Sequence, residues 1–376
     1  MSTIKDYIQE NTGELYRLLY DLCHIPAPSY HEEERVAYCM KWFEENGLPG
    51  AYVDKALNVI LPYGADGKNE LTVLAAHTDT VFPDLEPLPY HDDGEKIYCP
   101  AVGDDTASMA ILMLTAKYMF QESIPTNGIL FVLNSCEEGL GTLKGTRRLF
   151  QDYEGRLARF ISFDSADFRH SVDTCVGSHR YEVKVTAEGG HSWSAFGNKN
   201  AIAELYQIVN AIYSITPPKK EGKKATYNIG GVNGGTSINT IAQEASILCE
   251  YRSDDLELLS HMQCEFQRIF DQARNNGMNV QVTLLGERPC AGNVDSAKMN
   301  DLKVMAAEVI KKVTGEELQF HSGSTDCNIP LSLGIPALTM GVYIGAGAHT
   351  RNEHLIKSSL IPGLEIGIQT AIKLSK

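Results

Sequence analysis

Four short apolar runs, each ending in a histidine or an acid, restrict this chain to a narrow set of folds. The first is Leu71-Thr72-Val73-Leu74-Ala75-Ala76, which runs straight into His77-Thr78-Asp79. Residues 128–134 lead into Ser135-Cys136-Glu137-Glu138-Gly139, and residues 160–163 end at Asp164. Residues 335–341 continue through Gly345-Ala346-Gly347-Ala348 to His349. Strands that are apolar on both faces belong in the buried middle of a parallel sheet. Strand, acid or histidine, then helix is the rhythm of an α/β fold.

The flanking segments fit that scheme. Residues 1–49 read as helical, with Leu15, Leu18, Leu19 and Leu22 on one face and Val36, Met40 and Phe43 on another. Between them Pro26 and Pro28 force residues 25–29 to be extended, because the residue before a proline is pushed out of the helical region. Residues 51–61 and 71–76 read as strands, and a helix runs from about Ala107 to Gln121.

The middle of the chain has a different period. Tyr181, Val183 and Val185 alternate with Glu182, Lys184 and Thr186, the pattern of a strand with one wet face. A helix from about Asn200 to Ile215 should bury Ile202, Leu205, Ile208, Val209 and Ile212. Two strands follow, near 225–232 and 245–251. Ser253-Asp254-Asp255 then opens a helix with Leu256, Leu259, Met262, Phe266 and Ile269 on one face. Val280, Val282 and Leu284 form a last strand. The order β-α-β-β-α-β is the split ferredoxin-like unit. The expected architecture is therefore an α/β domain from residues 1–178 and 290–376, with flanking helices on a mainly parallel sheet. An α+β ferredoxin-like domain, residues 179–289, is inserted into it.

The net charge of −15 over 376 residues argues against nucleic acid or an anionic membrane as partner. No apolar run reaches the length of a membrane span, and the polar segment Met1–Tyr7 has no signal core. Nine cysteines, none in a CxxC pair, fit reduced thiols in the cytoplasm better than a disulfide framework.

Ligands of open α/β sheets bind beyond the carboxyl ends of the strands. His77, Glu137, Glu138, Asp164 and His349 all fall there, and Asp104 sits at a helix start. Each has an ordinary explanation alone. His77 and Asp79 could simply satisfy one another in the core, and the Asp104-Asp105 pair would favour the helix dipole without any function. Five segments delivering acids and imidazoles to one rim are harder to dismiss, since converging acids repel unless a cation lies between them. Oxygen and nitrogen donors without cysteine suit Zn²⁺, with Co²⁺ and Mn²⁺ as alternatives.

Taken in order, His77-Thr78-Asp79, Gly103-Asp104-Asp105, Glu137-Glu138-Gly139, Asp164 and Gly347-Ala348-His349 with Glu353 resemble the motifs of the dinuclear-zinc exopeptidases and deacylases. That family includes peptidase T, glutamate carboxypeptidase, acetylornithine deacetylase and aminoacylase, and the resemblance spans essentially the whole chain. It implies two divalent ions, with His77 and Asp164 on one, Glu138 and His349 on the other, and Asp104 bridging. It implies Asp79 as a catalytic acid beside His77, and Glu137 as the general base toward a metal-bridging water. Gly189-Gly190-His191-Ser192 and Asn200-Ala201 resemble the family's lid motif, which implies a homodimer through the inserted domain and His191 stabilising an oxyanion. Asn239 and Arg252 stand where relatives bind a substrate carboxylate, and residues 322–326 resemble a glycine-rich substrate loop. Asp167 and His354 compete on paper with Asp164 and His349.

The resemblance implies a metallohydrolase that cleaves an amide bond in short peptides, with an N-acyl amino acid deacylase or desuccinylase as the alternative. A non-catalytic metal-binding protein is a further reading, disfavoured because Glu137 is intact. Gly139, Gly141 and Gly145 after a strand would also suit a dinucleotide site, but Glu137 and Glu138 would then face a pyrophosphate.

Overall fold

A computed structural model describes residues 3–376; Met1 and Ser2 of the expected N-terminal helical stretch lie outside them. The chain divides into two compact units, Met1–Cys175 with Gly292–Lys376, and Val176–Ala291.

The first unit is built on a six-stranded sheet. Its strands are β1 (Tyr52–Val53), β2 (Val59–Tyr63), β3 (Leu71–His77), β4 (Ile129–Asn134), β5 (Leu157–Ser162) and β6 (Ala337–Thr339). They lie in the order β1-β2-β4-β3-β5-β6. The pairs β4/β3, β3/β5 and β5/β6 are parallel, while β1/β2 and β2/β4 are antiparallel. The strand expected over 51–61 is thus broken by a turn, in which Asp54 accepts the N–H groups of Ala56 and Asn58.

All of β3 and β4 is buried, which is why those segments read as unbroken apolar runs. Helices cover the sheet: α1 (Ile4–Cys23), α2 (Glu33–Glu45), α3 (Ser108–Gln121) and α4 (Leu360–Leu374). Helix α3 packs against α1 and α4 and is buried from Ser108 to Met119, as expected of a helix that is apolar on every side.

The parallel register decides where functional side chains emerge. His77 pairs with Asn134, Ala75 with Ser162, and Ser162 with Thr339. The carboxyl ends of four adjacent strands are therefore level, and the loops leaving them share one rim.

The second unit has four antiparallel strands, Ala225–Gly234, Glu244–Ser253, Gly177–Thr186 and Asn279–Arg288, paired in that spatial order. Helices Ala201–Tyr213 and Leu256–Asn275 pack on the sheet. Leu205, Ile208, Ile212, Met262, Phe266 and Ile269 form the core with Val183, Val185 and Tyr251. Two expected core residues are not in it, since Ile202 is 47% exposed and Leu256 is 55% exposed. Both lie to the side of the buried stripe of their helices, since Ala201, Leu258 and Leu259 of the same first turns are buried.

Candidate metal centre

His77 closes β3 and is fully buried. Its Nε2 lies 2.9 Å from Asp104 Oδ1 and its Nδ1 lies 3.5 Å from Asp79 Oδ1. The ring is further fixed by the Asp79 carbonyl, 3.0 Å from Nδ1. His349, beyond β6, brings its Nε2 to 3.1 Å from Asp104 Oδ2 and 3.0 Å from Glu138 Oε1. Two imidazoles thus converge on the carboxylates of Asp104 and Glu138. His77, Asp104 and Glu138 offer donor atoms that all lie within 4.8 Å of one another.

The backbone around Asp104 is irregular. Ala101 is left-handed at φ 63 and Asp104 itself is non-helical. Glu353 holds this turn: its Oε2 accepts the N–H of Ala101 at 2.8 Å, and its Oε1 accepts those of Gly103 and Asp104 at 2.8 and 3.0 Å. Asp105 points the other way and accepts the N–H of His77 at 2.9 Å. One acid of the pair thus faces the imidazoles, while the other pins the strand that carries one of them.

The Glu137-Glu138 turn is anchored on Asp79. Its Oδ1 and Oδ2 accept the N–H groups of Glu137 and Glu138 at 2.8 and 2.9 Å, and Ser29 Oγ donates to Oδ2 at 2.6 Å. Gly141 and Gly145 serve this turn rather than a nucleotide. A Cβ at Gly141 would meet the Cys136 carbonyl at 2.5 Å, and one at Gly145 would meet the Ser135 carbonyl at 2.4 Å.

The electrostatics are those of acids and imidazoles crowded into one buried site. Burial raises the Asp164 pKa well above the usual carboxylate range, and the charges of Asp104 and Glu137 add to the effect. Burial also raises Glu138, with Asp104 and Glu137 contributing. Hydrogen bonds to Asp104 and Glu138 push His349 up to about 10. Burial alone would lower His77, but hydrogen bonds to Asp104 and Asp79 outweigh it and hold the imidazole well above its ordinary value. Glu138 Oε1 is buried and lies 3.0 Å from His349 Nε2. Lone pairs of carboxylate and imidazole aimed at a shared point suit divalent cations, and this donor set fits the group.

Of the remaining candidates, Asp167 is bound to Arg169 at 2.6 Å. His354 has its Nε2 3.3 Å from Lys96 Nζ and its Nδ1 3.2 Å from the Asn352 carbonyl. Neither joins the cluster. In the second unit, His191 is exposed and its Nδ1 accepts the Trp193 N–H at 3.2 Å. Asn239 Oδ1 accepts from Ser237 Oγ at 2.9 Å. Arg252 is bidentate on Glu250, at 2.7 and 2.9 Å.

Three buried residues escape a sequence reading. Arg35 donates to the carbonyls of Thr78, Leu22 and Ile25 at 2.9, 2.9 and 3.0 Å. Glu32 accepts from Cys136. Asp326 accepts from Thr146 and Asn134. In the run His31-Glu32-Glu33-Glu34-Arg35 all five look like a solvated helix start, and the signal lay in spacing: Glu32 is at i, i+4 and i, i+7 from Val36 and Cys39, and Arg35 at i, i+4 from Cys39.

Residues 73–373 match the model of the peptidase family M20/M25/M40. A putative succinyl-diaminopimelate desuccinylase DapE of Mycobacterium tuberculosis is 24% identical over 94% of this chain and 97% of its own length. Carboxypeptidase G2 of Pseudomonas sp. (strain RS-16) is 25% identical over 80% of this chain and 72% of its own. The crystal structure of aminopeptidase PepT from Bacillus cereus superposes with a TM-score of 0.76 at 20% identity, covering 97% of this chain and 99% of that one. On the family match, this chain belongs to peptidase family M20/M25/M40 and is a metal-dependent hydrolase of amide bonds.

Proposed function

We propose that the chain is an exopeptidase of short peptides that works with two divalent ions, Zn²⁺ first and Co²⁺ or Mn²⁺ as alternatives. The observation that carries the reading is the convergence of His77 and His349 on Asp104 and Glu138, each within about 3 Å. In this scheme His77 and Asp164 would hold one ion, Glu138 and His349 would hold the other, and Asp104 would serve both. Such ions polarise a carbonyl and acidify water when bound.

The chain's own groups would do the rest. Glu137, 5% exposed, lies next to the ligand Glu138 and would serve proton transfer. It would take a proton from the attacking water and return it to the leaving amine. Asp79 would orient His77, as a carboxylate behind a ligating imidazole does. His191 would stabilise the developing oxyanion, and Asn239 with Arg252 would receive a substrate carboxylate.

A second reading, an N-acyl amino acid deacylase, is supported by the desuccinylase relative that spans 94% of the chain. A non-catalytic metal-binding role is disfavoured because Glu137 remains in place beside the ligands. Homodimerisation through the second unit is supported by its unusual surface. Trp193, Phe196, Val232 and Ile238 are between 70% and 103% exposed, more apolar surface than a free domain ordinarily leaves in water. Residence in the cytoplasm is supported by nine cysteines without a disulfide, and no helix among the described residues is long and apolar enough to cross a membrane.

The test is a hydrolysis screen of di- and tripeptides against N-acetyl and N-succinyl amino acids, with Zn²⁺, Co²⁺ or Mn²⁺ restored to chelated protein. Peptide cleavage that disappears on chelation supports the first reading, and preference for N-succinyl substrates supports the second. Hydrolysis unaffected by thorough chelation contradicts both.

A further inference from the structure

The turn carrying Glu137 and Glu138 begins one residue earlier than Asp79 reaches. The N–H of Cys136 goes to Glu32 Oε1 at 3.0 Å, and the Cys136 thiol lies 3.2 Å from the same oxygen. With Asp79 taking the next two N–H groups, three consecutive donors end on side-chain carboxylates. Charge-assisted bonds of this kind are stronger and geometrically stricter than neutral ones.

Glu32 is placed unusually for a helix start. It is fully buried, while its neighbours Glu33 and Glu34 are exposed. Its Oε2 makes no hydrogen bond. Burying a carboxylate is costly, and burial together with the nearby Asp79 raises its pKa. A helix cap does not require that cost, since water would serve a glutamate there.

What Glu32 grips is a residue that resists its own conformation. Cys136 is left-handed at φ 56, a region unfavourable for a residue with a side chain. Its carbonyl is tied by the Leu143 N–H at 3.1 Å, and its N–H is tied by Glu32. The neighbouring residues lean on the same turn: Ser29 Oγ bonds Asp79, and Tyr30 OH bonds the Leu140 carbonyl at 3.1 Å.

We propose that Glu32 is a positioning residue for amide hydrolysis: by holding Cys136 left-handed, it sets the direction in which Glu137 leaves the strand. The segment 29–32 is then a brace for the base rather than a connection between two helices. The proposal rests on the reading of Glu137 as the base, and its test separates the two.

Glu32→Ala and Glu32→Gln are made in the full chain. Amide exchange of the segment 134–140 is measured in metal-free protein, and bound zinc, kcat and KM in the loaded one. Glu32→Ala should exchange faster in that segment by about tenfold, with the rest of the first unit unchanged. It should keep its zinc and lose about 10–100-fold in kcat, with little change in KM. Glu32→Gln, whose amide oxygen can still accept the Cys136 N–H, should recover most of both. In the Ala background, Cys136→Gly should restore part of kcat, because glycine adopts the left-handed angle unaided.

Wild-type exchange in Glu32→Ala overturns the proposal, as does a Gln variant no better than Ala, or a kcat loss that merely follows zinc loss. If Glu32→Ala does not fold, Cys136→Gly against Cys136→Val decides. Retained kcat in Gly with a loss in Val supports the left-handed turn, and equal behaviour contradicts it. A wild-type chain inactive on every substrate defeats the base reading, whereas the exchange result still decides what Glu32 holds.

Discussion

His349 and Asp104 come from segments about 245 residues apart, yet Nε2 of one lies 3.1 Å from Oδ2 of the other. In metal-free protein this is an ion pair. Hydrogen bonds to Asp104 and Glu138 raise the His349 pKa to about 10, and His77 is also raised, against the pull of burial. His349 is then protonated at pH 7 and must lose that proton to bind a cation.

Zinc loading at pH 7 should therefore release protons, from His349 and from the buried ligand acid Asp164, and affinity should rise as pH rises toward 10. Calorimetry in buffers of different ionisation enthalpy counts the protons. His349→Gln should lower the count by about one. A count of zero would show that His349 and Asp164 have lost their protons before the metal arrives.

Glu353 orders Asp104 without touching the imidazoles. Replacing it by alanine leaves the buried N–H groups of Ala101, Gly103 and Asp104 without the oxygens they now bond. Glu353→Ala should weaken zinc binding by about 10–100-fold, measured by competition with a chromogenic chelator. Glu353→Gln should fall between it and wild type. Unchanged affinity would mean that the Asp104 turn holds its shape unaided.

Asp326 offers a stability test at an acid that is not itself a proposed ligand. Burial, then the charge of Glu137, pushes its pKa up to about 7, despite hydrogen bonds from Thr146 and Asn134. An unfolded aspartate ionises near about 3.9, so between those values the folded chain holds the extra proton. Folding stability from this group is therefore lost as pH rises from about 4 to 7 and stays lost above. In metal-free protein, Asp326→Asn should gain on wild type by about 5 °C in Tm between pH 4 and pH 8. A difference in Tm that does not change with pH would contradict this.

The sheet was legible because burial on both faces leaves a continuous apolar run, as in Leu71–His77 and Ile129–Asn134. His77, Asp104, Glu138 and His349 were legible because the parallel register brings strand ends level, so acids and imidazoles following such runs converge. Glu32 and Arg35 were not. Helical spacing puts Glu32 on the face of Val36 and Cys39, and Arg35 on that of Cys39, but which charged residue of a helix start is buried depends on how α2 meets the Asp79 and Cys136 turns. Ile202 and Leu256 failed in the opposite sense, because each lies at the edge of an apolar stripe whose buried centre is set by the sheet it meets.

The central claim is that Glu137 turns the rim from a metal-binding cluster into a catalyst. Its most direct test measures bound zinc and turnover together in Glu137→Gln, on the best substrate from the screen. The variant should keep the full zinc content of wild type while kcat falls about 10²–10⁴-fold. A variant that keeps its zinc and turns over near the wild-type rate would contradict the account.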